Sequence, residues 1–138
     1  MSQSPSPLDA SRLVIHKSDS LRQCPPVKDI VFGRTFTDHM LKIPWTAARG
    51  WGEPSIEPYG PLSLEPSSVV LHYAVTLFEG MKAYRDDHGK VRLFRPEKNM
   101  ERMNRSASRI CLPNFDETEL LKLIKKLVQL DQHWVPSE

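Results

Sequence analysis

The sequence predicts an α+β domain in which an antiparallel sheet is flanked by helices. Two observations carry this. MKAYR and VRLF are short strand patterns separated by DDHGK, and two amphipathic helix patterns follow directly. The chain, at 138 residues, suits one such domain and is long enough to bury roughly two-thirds of its unfolded surface.

In chain order, residues 1–28 read as a mobile arm rich in Ser and Pro, with a short pairing segment at Leu13-Val14-Ile15. The domain proper is expected over residues 29–138. IVFGRTFTDHMLKIPW, with Ile30, Phe32, Phe36, Met40, Ile43 and Trp45, fits one long strand kinked or bulged at Gly33 and Asp38. Residues 46–66 hold three glycines and four prolines, and read as loop. SSVVLHYAVTLF is open to two readings. Ser67 or Ser68 can cap a helix, whereas the valines fit a strand; the short helix, breaking near Glu79-Gly80, is favoured.

The two helices rest on firmer spacing. In RPEKNMERMNRSASRI, Pro96 suits a first helical turn, and Met100, Met103, Ala107 and Ile110 form one buried stripe. In DETELLKLIKKLVQLDQHW, Asp116 and Glu119 have capping-box spacing, and Leu120, Leu123, Ile124, Leu127 and Val128 supply the core face. Pro136 stops that pattern.

Composition narrows the function classes. Apolar content of 39% and charged content of 26% are those of an ordinary globular protein. A net charge of +2 gives no argument for nucleic acid or a membrane surface as partner, and no apolar run approaches the roughly 20 residues of a membrane span. Cys24 and Cys111 lack metal-ligand spacing. Cys111 is expected in the interior and Cys24 in an exposed stretch, both as reduced thiols. The first residues contain no continuous apolar stretch of a secretory signal. Arg12 and Arg22 are offset by Asp9 and Asp19, unlike a transit peptide, so a cytoplasmic location is expected and a mitochondrial one stays open.

Few residues offer chemistry. Arg102 lies with Lys98, Arg105 and Arg109 on one face of a helix. A solvated face is the ordinary outcome of such a stripe; the sharper alternative is an anion site, because a guanidinium offers phosphate two parallel donors. Tyr73, Phe78 and Tyr84 default to core packing, with a site wall or interface as the alternative for Tyr73. His39 and His72 have no Cys, Asp or Glu at ligand spacing, which argues against a metal. No GxGxxG, Walker-type loop or serine elbow is present.

FTDHM, LHYAVTLFEGMKAYR, RLFRPEKNMERMNRSA and LVQLDQHWVP nevertheless resemble, in order and spacing, the branched-chain amino acid aminotransferases, pyridoxal-phosphate enzymes of fold type IV. The resemblance runs from about residue 30 to 138 and covers their small domain, incomplete at its C-terminal end. It implies amino-group exchange between leucine, isoleucine or valine and 2-oxoglutarate, pyridoxal 5′-phosphate as cofactor, and a homodimer as the full-length assembly. It further implies that Arg102, in NMERM, binds the cofactor phosphate. Phe78 in LFEG and Phe32 in VFG would wall the pocket for the branched side chain, and Tyr73 in HYA would reach the neighbouring subunit's pocket. The resemblance assigns Glu79 no role, and a structural hydrogen bond is its default.

The family's chemistry also needs a Schiff-base lysine, and no lysine here stands in its context: Lys82 belongs to the hairpin, and Lys122, Lys125 and Lys126 to the last helix. The expectation is a truncated, inactive transaminase chain. Two alternatives remain: a non-catalytic fragment pairing with full-length subunits, and another fold type IV enzyme, a D-amino acid aminotransferase or aminodeoxychorismate lyase.

Overall fold

The computed structural model describes residues 5–136, which build an α+β arrangement of small sheets and helices. In chain order the strands are β1 (Val14–Ile15), β2 (His39–Lys42), β3 (Trp45–Thr46), β4 (Gly50–Trp51), β5 (Ser55–Pro58), β6 (Ala83–Arg85) and β7 (Val91–Leu93). The α-helices are α1 (Val69–Tyr73), α2 (Pro96–Arg109) and α3 (Glu117–Leu130).

β5 is the middle strand of a three-stranded sheet. It runs antiparallel to β2, with His39 opposite Pro58 and Lys42 opposite Ser55. It runs parallel to β1, with Ile15 opposite Ile56, so the expected antiparallel sheet contains one parallel pairing. The segment expected as an arm thus supplies the pairing strand at Val14 and Ile15. Just before it, Leu8 enters the core.

The sequence placed no strand in residues 46–66, and that expectation fails. Pro54 and Pro58 bracket a four-residue strand instead of breaking it, since a proline at a strand's last position costs no interior ladder bond. Ile56 at its centre is fully buried. At Gly50 (φ +76°) an added Cβ would stand 2.4 Å from Ser6 N and O. Only glycine lets Ser6 approach there, with Ser6 N donating to Arg49 O and Ser6 O accepting from Trp51 N, both at 2.9 Å.

The single long strand over residues 30–45 is likewise not formed. Gly33, at φ +76°, turns the chain back. Val31 O accepts from Arg34 N at 3.0 Å and Thr35 N at 2.9 Å, while Thr35 Oγ1 accepts from Val31 N at 3.1 Å. Ile30, Phe32 and Phe36 therefore do not share a strand with Met40, and regular pairing begins only at His39.

α1 forms as favoured but is shorter than expected: Ala74 adopts a left-handed conformation (φ 51°) and ends it well before Glu79. The hairpin forms as the spacing predicts, with Ala83 opposite Leu93 and Arg85 opposite Val91. Its turn is held by the Asp86 carboxylate, which accepts from Lys90 N at 2.8 Å and His88 N at 3.0 Å.

α2 starts at Pro96 and buries Met100 and Ala107, with Met103 half-buried. Ile110 lies outside the helix and is exposed. The reason is the helix stop: Leu112 N donates to Ala107 O and Cys111 N to Ser108 O, the two bonds of a Schellman motif. Cys111 takes the left-handed position (φ 57°) and faces solvent, contrary to the interior place expected of it, whereas Cys24 is half-buried, not exposed.

In α3, Asp116 Oδ1 accepts from Thr118 N at 2.8 Å and Glu119 N at 3.0 Å. The return half of the capping box is missing. Glu119 instead accepts from Ala10 N at 2.7 Å, tying the N-terminal segment to α3. Leu120, Leu121 and Leu123 join Leu8 and Met100 in the core, with Leu41, Met81, Leu93 and Phe115 packed around them. No helix among the described residues is long and apolar enough to cross a membrane.

Candidate functional site

The outer face of α2 carries the basic residues because Met100, Met103 and Ala107 take the inner one. Lys98 is neutralised one turn on, its Nζ donating to both Glu101 oxygens at 2.7 and 2.8 Å. Arg105 and Arg109 have no carboxylate partner among the described residues, and they border a shallow groove with Thr76, Leu77 and Cys111.

Arg102 is different. Its Nε donates to Glu79 Oε2 at 2.8 Å and its Nη2 to Glu79 Oε1 at 2.5 Å, a fork-to-fork pair. Glu79 Oε1 also accepts from Gly80 N at 2.8 Å and Asn99 Nδ2 at 3.0 Å, and Asn99 Nδ2 donates to Gly80 O at 2.7 Å. Asn99 and Arg102, three apart on α2, thus clasp the Glu79-Gly80 corner. The Glu79 side chain is 9% exposed and that of Arg102 57%. Donation from Arg102 holds the Glu79 carboxyl at about 2; burial opposes this, and Asn99 and Gly80 add to it. The same bond raises the Arg102 guanidinium above its ordinary value.

The solvated-face reading of Arg102 therefore misses a tertiary partner. Glu79 does make the structural hydrogen bonds expected of it by default. The sequence offered no local sign of the pair, because its members lie 23 positions apart. Arg102 Nη1 has no hydrogen-bond partner among the described residues, and the side chain is largely exposed, which suits an anionic oxygen. On donor chemistry a phosphate group fits this edge.

The aromatic residues lie elsewhere than core packing would put them. Phe32 is 103% exposed, Phe78 94% and Tyr73 80%, and Tyr84 is exposed as well. Phe78 adjoins the Glu79–Arg102 pair along the chain. His39, read as isolated, has Asp131 as a buried partner. Arg85 is structural: it donates from Nε to Val135 O at 3.0 Å, from Nη1 to Gly89 O at 2.9 Å and from Nη2 to Gln132 O at 2.5 Å, fastening the chain after α3.

No family model matches the chain. Over 131 residues it is 56% identical to "Branched-chain-amino-acid aminotransferase, mitochondrial" of Saccharomyces cerevisiae, covering 95% of this chain and 33% of that protein. The cytosolic protein of the same name from that organism is also 56% identical over 131 residues, with 35% of its length covered. The mouse cytosolic protein is 54% identical over 127 residues, covering 92% of this chain and 33% of that protein. The chain is similar to branched-chain-amino-acid aminotransferases. It spans about a third of the length of the relatives it matches. The motif holding Arg102 and the LFEG corner both lie within the region of this similarity, so the pair joins two of the segments that carry it.

Proposed function

We propose that this chain supplies the phosphate-binding part, and some of the pocket wall, of a branched-chain amino acid transaminase acting on leucine, isoleucine or valine with 2-oxoglutarate. The observation that carries the proposal is the identity of 56% across nearly all of the chain to proteins so named. The uncommitted Nη1 of the exposed Arg102 side chain supports it.

When bound, pyridoxal phosphate supplies the electron sink that lets an amino group pass between carbon skeletons. Arg102 would bind its phosphate by donation from the free guanidinium edge. Phe78 and Phe32 would bound the branched side chain, excluding water from it. Tyr73 would enter the pocket of a second subunit in a homodimer. The exposure of all three fits walls completed by further polypeptide. The compartment is proposed to be the cytosol, and the relatives include both cytosolic and mitochondrial proteins.

The test is binding of pyridoxamine 5′-phosphate to the 138-residue chain, followed by tryptophan fluorescence, with pyridoxamine as control. The expected result is a phosphate-dependent gain in affinity that Arg102→Gln abolishes. A gain that survives Arg102→Gln overturns the assignment. The chain by itself is expected to show no transaminase turnover. Borohydride reduction with pyridoxal phosphate is expected to label no one lysine selectively.

A further inference from the structure

We infer that Glu79 is a positioning residue for anion recognition: it fixes one edge of the Arg102 guanidinium so that the opposite edge is presented to a phosphate monoester. The inference rests on the reading of α2 given above as part of a phosphate site, and it adds a residue to which that reading gives no role.

The geometry separates the two halves of the guanidinium. Nε and Nη2 are committed to the two Glu79 oxygens, while Nη1 has no partner among the described residues. An arginine side chain on a solvated helix face samples many rotamers, and binding an anion must then order it. Here that ordering is already done. Glu79 is itself fixed, by Gly80 N and by Asn99 Nδ2 one turn before Arg102 on the same helix. The acid is covered and the guanidinium extends beyond it into solvent. The pair is therefore built outward, with the anchor inside and the open donor outside.

Charge alone argues the other way. A carboxylate beside Arg102 cancels its charge and repels an incoming dianion, so an acid at position 79 is a poor choice if net charge governs the site. Arg105 and Arg109 provide cationic surface further along α2 without carboxylate partners among the described residues. The local field therefore does not depend on Arg102 being unpaired. What Glu79 contributes is direction, and the two views predict opposite signs.

The experiment measures pyridoxamine 5′-phosphate and pyridoxamine affinities for the 138-residue chain and for Glu79→Gln, Asn99→Ala and Arg102→Gln. In parallel, 15N-resolved spectra follow the Arg102 Nε–H signal, which solvent exchange broadens once its acceptor is lost. Glu79→Gln keeps the shape and removes the charged acceptor. It is expected to weaken the phosphate ligand about tenfold, the cost of ordering one long side chain, and to leave pyridoxamine unchanged. The Nε–H signal should broaden in the same variant. Asn99→Ala, which leaves the ion pair but frees its anchor, should weaken the phosphate ligand less and in the same direction.

Unchanged or tighter phosphate binding in Glu79→Gln, with Arg102→Gln still deleterious, overturns the positioning role while sparing the phosphate site. A phosphate preference that survives Arg102→Gln overturns both. Should Glu79→Gln fail to fold, Asn99→Ala decides alone: undiminished phosphate affinity there rejects the inference.

Discussion

His39 and Asp131, 92 positions apart, form a buried pair in which both partners are doubly engaged. His39 Nδ1 lies 2.6 Å from Asp131 Oδ1, and His39 N donates to Oδ2 at 3.0 Å. Ser18 N donates to His39 Nε2 at 2.9 Å, so Nε2 is the acceptor and Nδ1 carries the proton. One imidazole thereby joins the N-terminal segment, the start of β2 and the end of α3. Replacing Asp131 with Ala strands two buried donors, and the expected loss is about 3 kcal/mol in urea unfolding. A loss below about 1 kcal/mol would mean that water satisfies the pair's groups.

Cys111 offers the opposite test, a substitution that should stabilise. It occupies the left-handed position of the Schellman motif closing α2, where a Cβ costs about 1 kcal/mol and glycine costs none. Its side chain is exposed, so little packing is lost on removing it. Cys111→Gly is expected to raise stability by about 1 kcal/mol, less whatever glycine gives back in the unfolded chain. Cys111→Val should lower it, and thermal melts of the two variants should bracket the parent.

Much of this architecture was legible locally and some was not, and the division has a physical basis. The 3.6-residue spacing of Met100, Met103 and Ala107, with Pro96 ahead of them, bounded α2 because a helix is specified by near neighbours. The DDHGK turn did the same for β6 and β7. β5 escaped because it is four residues long and proline-bounded; its central place depends on β1 and β2, both earlier in the chain and at different separations from it. The Glu79–Arg102 pair escaped for a related reason. Three and four positions either side of Arg102 the helix offers no acid, and only the corner at Gly80 brings one in. Arg102 stood out in its basic stripe, but only the resemblance favoured an anion site over a solvated face.

Acid should weaken the fold over a definite range. Glu79 is held at about 2 against an ordinary 4.5, chiefly by Arg102. Asp38 is buried, which pushes its carboxyl up, but donations from Trp134 Nε1, Arg22 and His133 outweigh this and hold it well below the usual range. Both folded values are depressed, so their stabilisation is fully present above the unfolded carboxylate range and is lost as pH falls through the folded values. Urea midpoints should hold steady above about pH 5 and decline from there toward pH 2. Glu79→Gln should lower the neutral-pH midpoint and flatten the decline. A variant that keeps the full acid slope would show that the Glu79–Arg102 bond does not contribute.

Asn104 is expected to be the most sensitive polar residue between the two long helices. Its Nδ2 donates to Phe115 O at 3.0 Å and Glu117 Oε1 at 3.1 Å, and its Oδ1 accepts from Phe115 N at 3.1 Å. Asn114 Nδ2 returns to Asn104 O at 2.9 Å. The side chain therefore sets the path of the loop that starts α3. Asn104→Ala removes its side-chain bonds, for an expected 1–3 kcal/mol, about as much as a moderate core truncation. Asn104→Asp keeps the acceptor, loses the donors and faces Glu117, so it should be no better than Ala. Equal stability of Asp and Asn would sink this account.

The exposed aromatics give a prediction about association. Phe32, Tyr73 and Phe78 contribute little to the fold of this chain because they are already in water, so replacing them with Ser should move thermal stability by no more than about 0.5 kcal/mol. Apolar surface of this kind drives self-association instead. The isolated chain is expected to form concentration-dependent oligomers by light scattering, and Tyr73→Ser with Phe78→Ser to suppress them. Stability and association then separate cleanly: a large loss of thermal stability in the double variant would place these side chains in the core after all, whereas a parent chain that stays monomeric as concentration rises would show that this surface needs no cover.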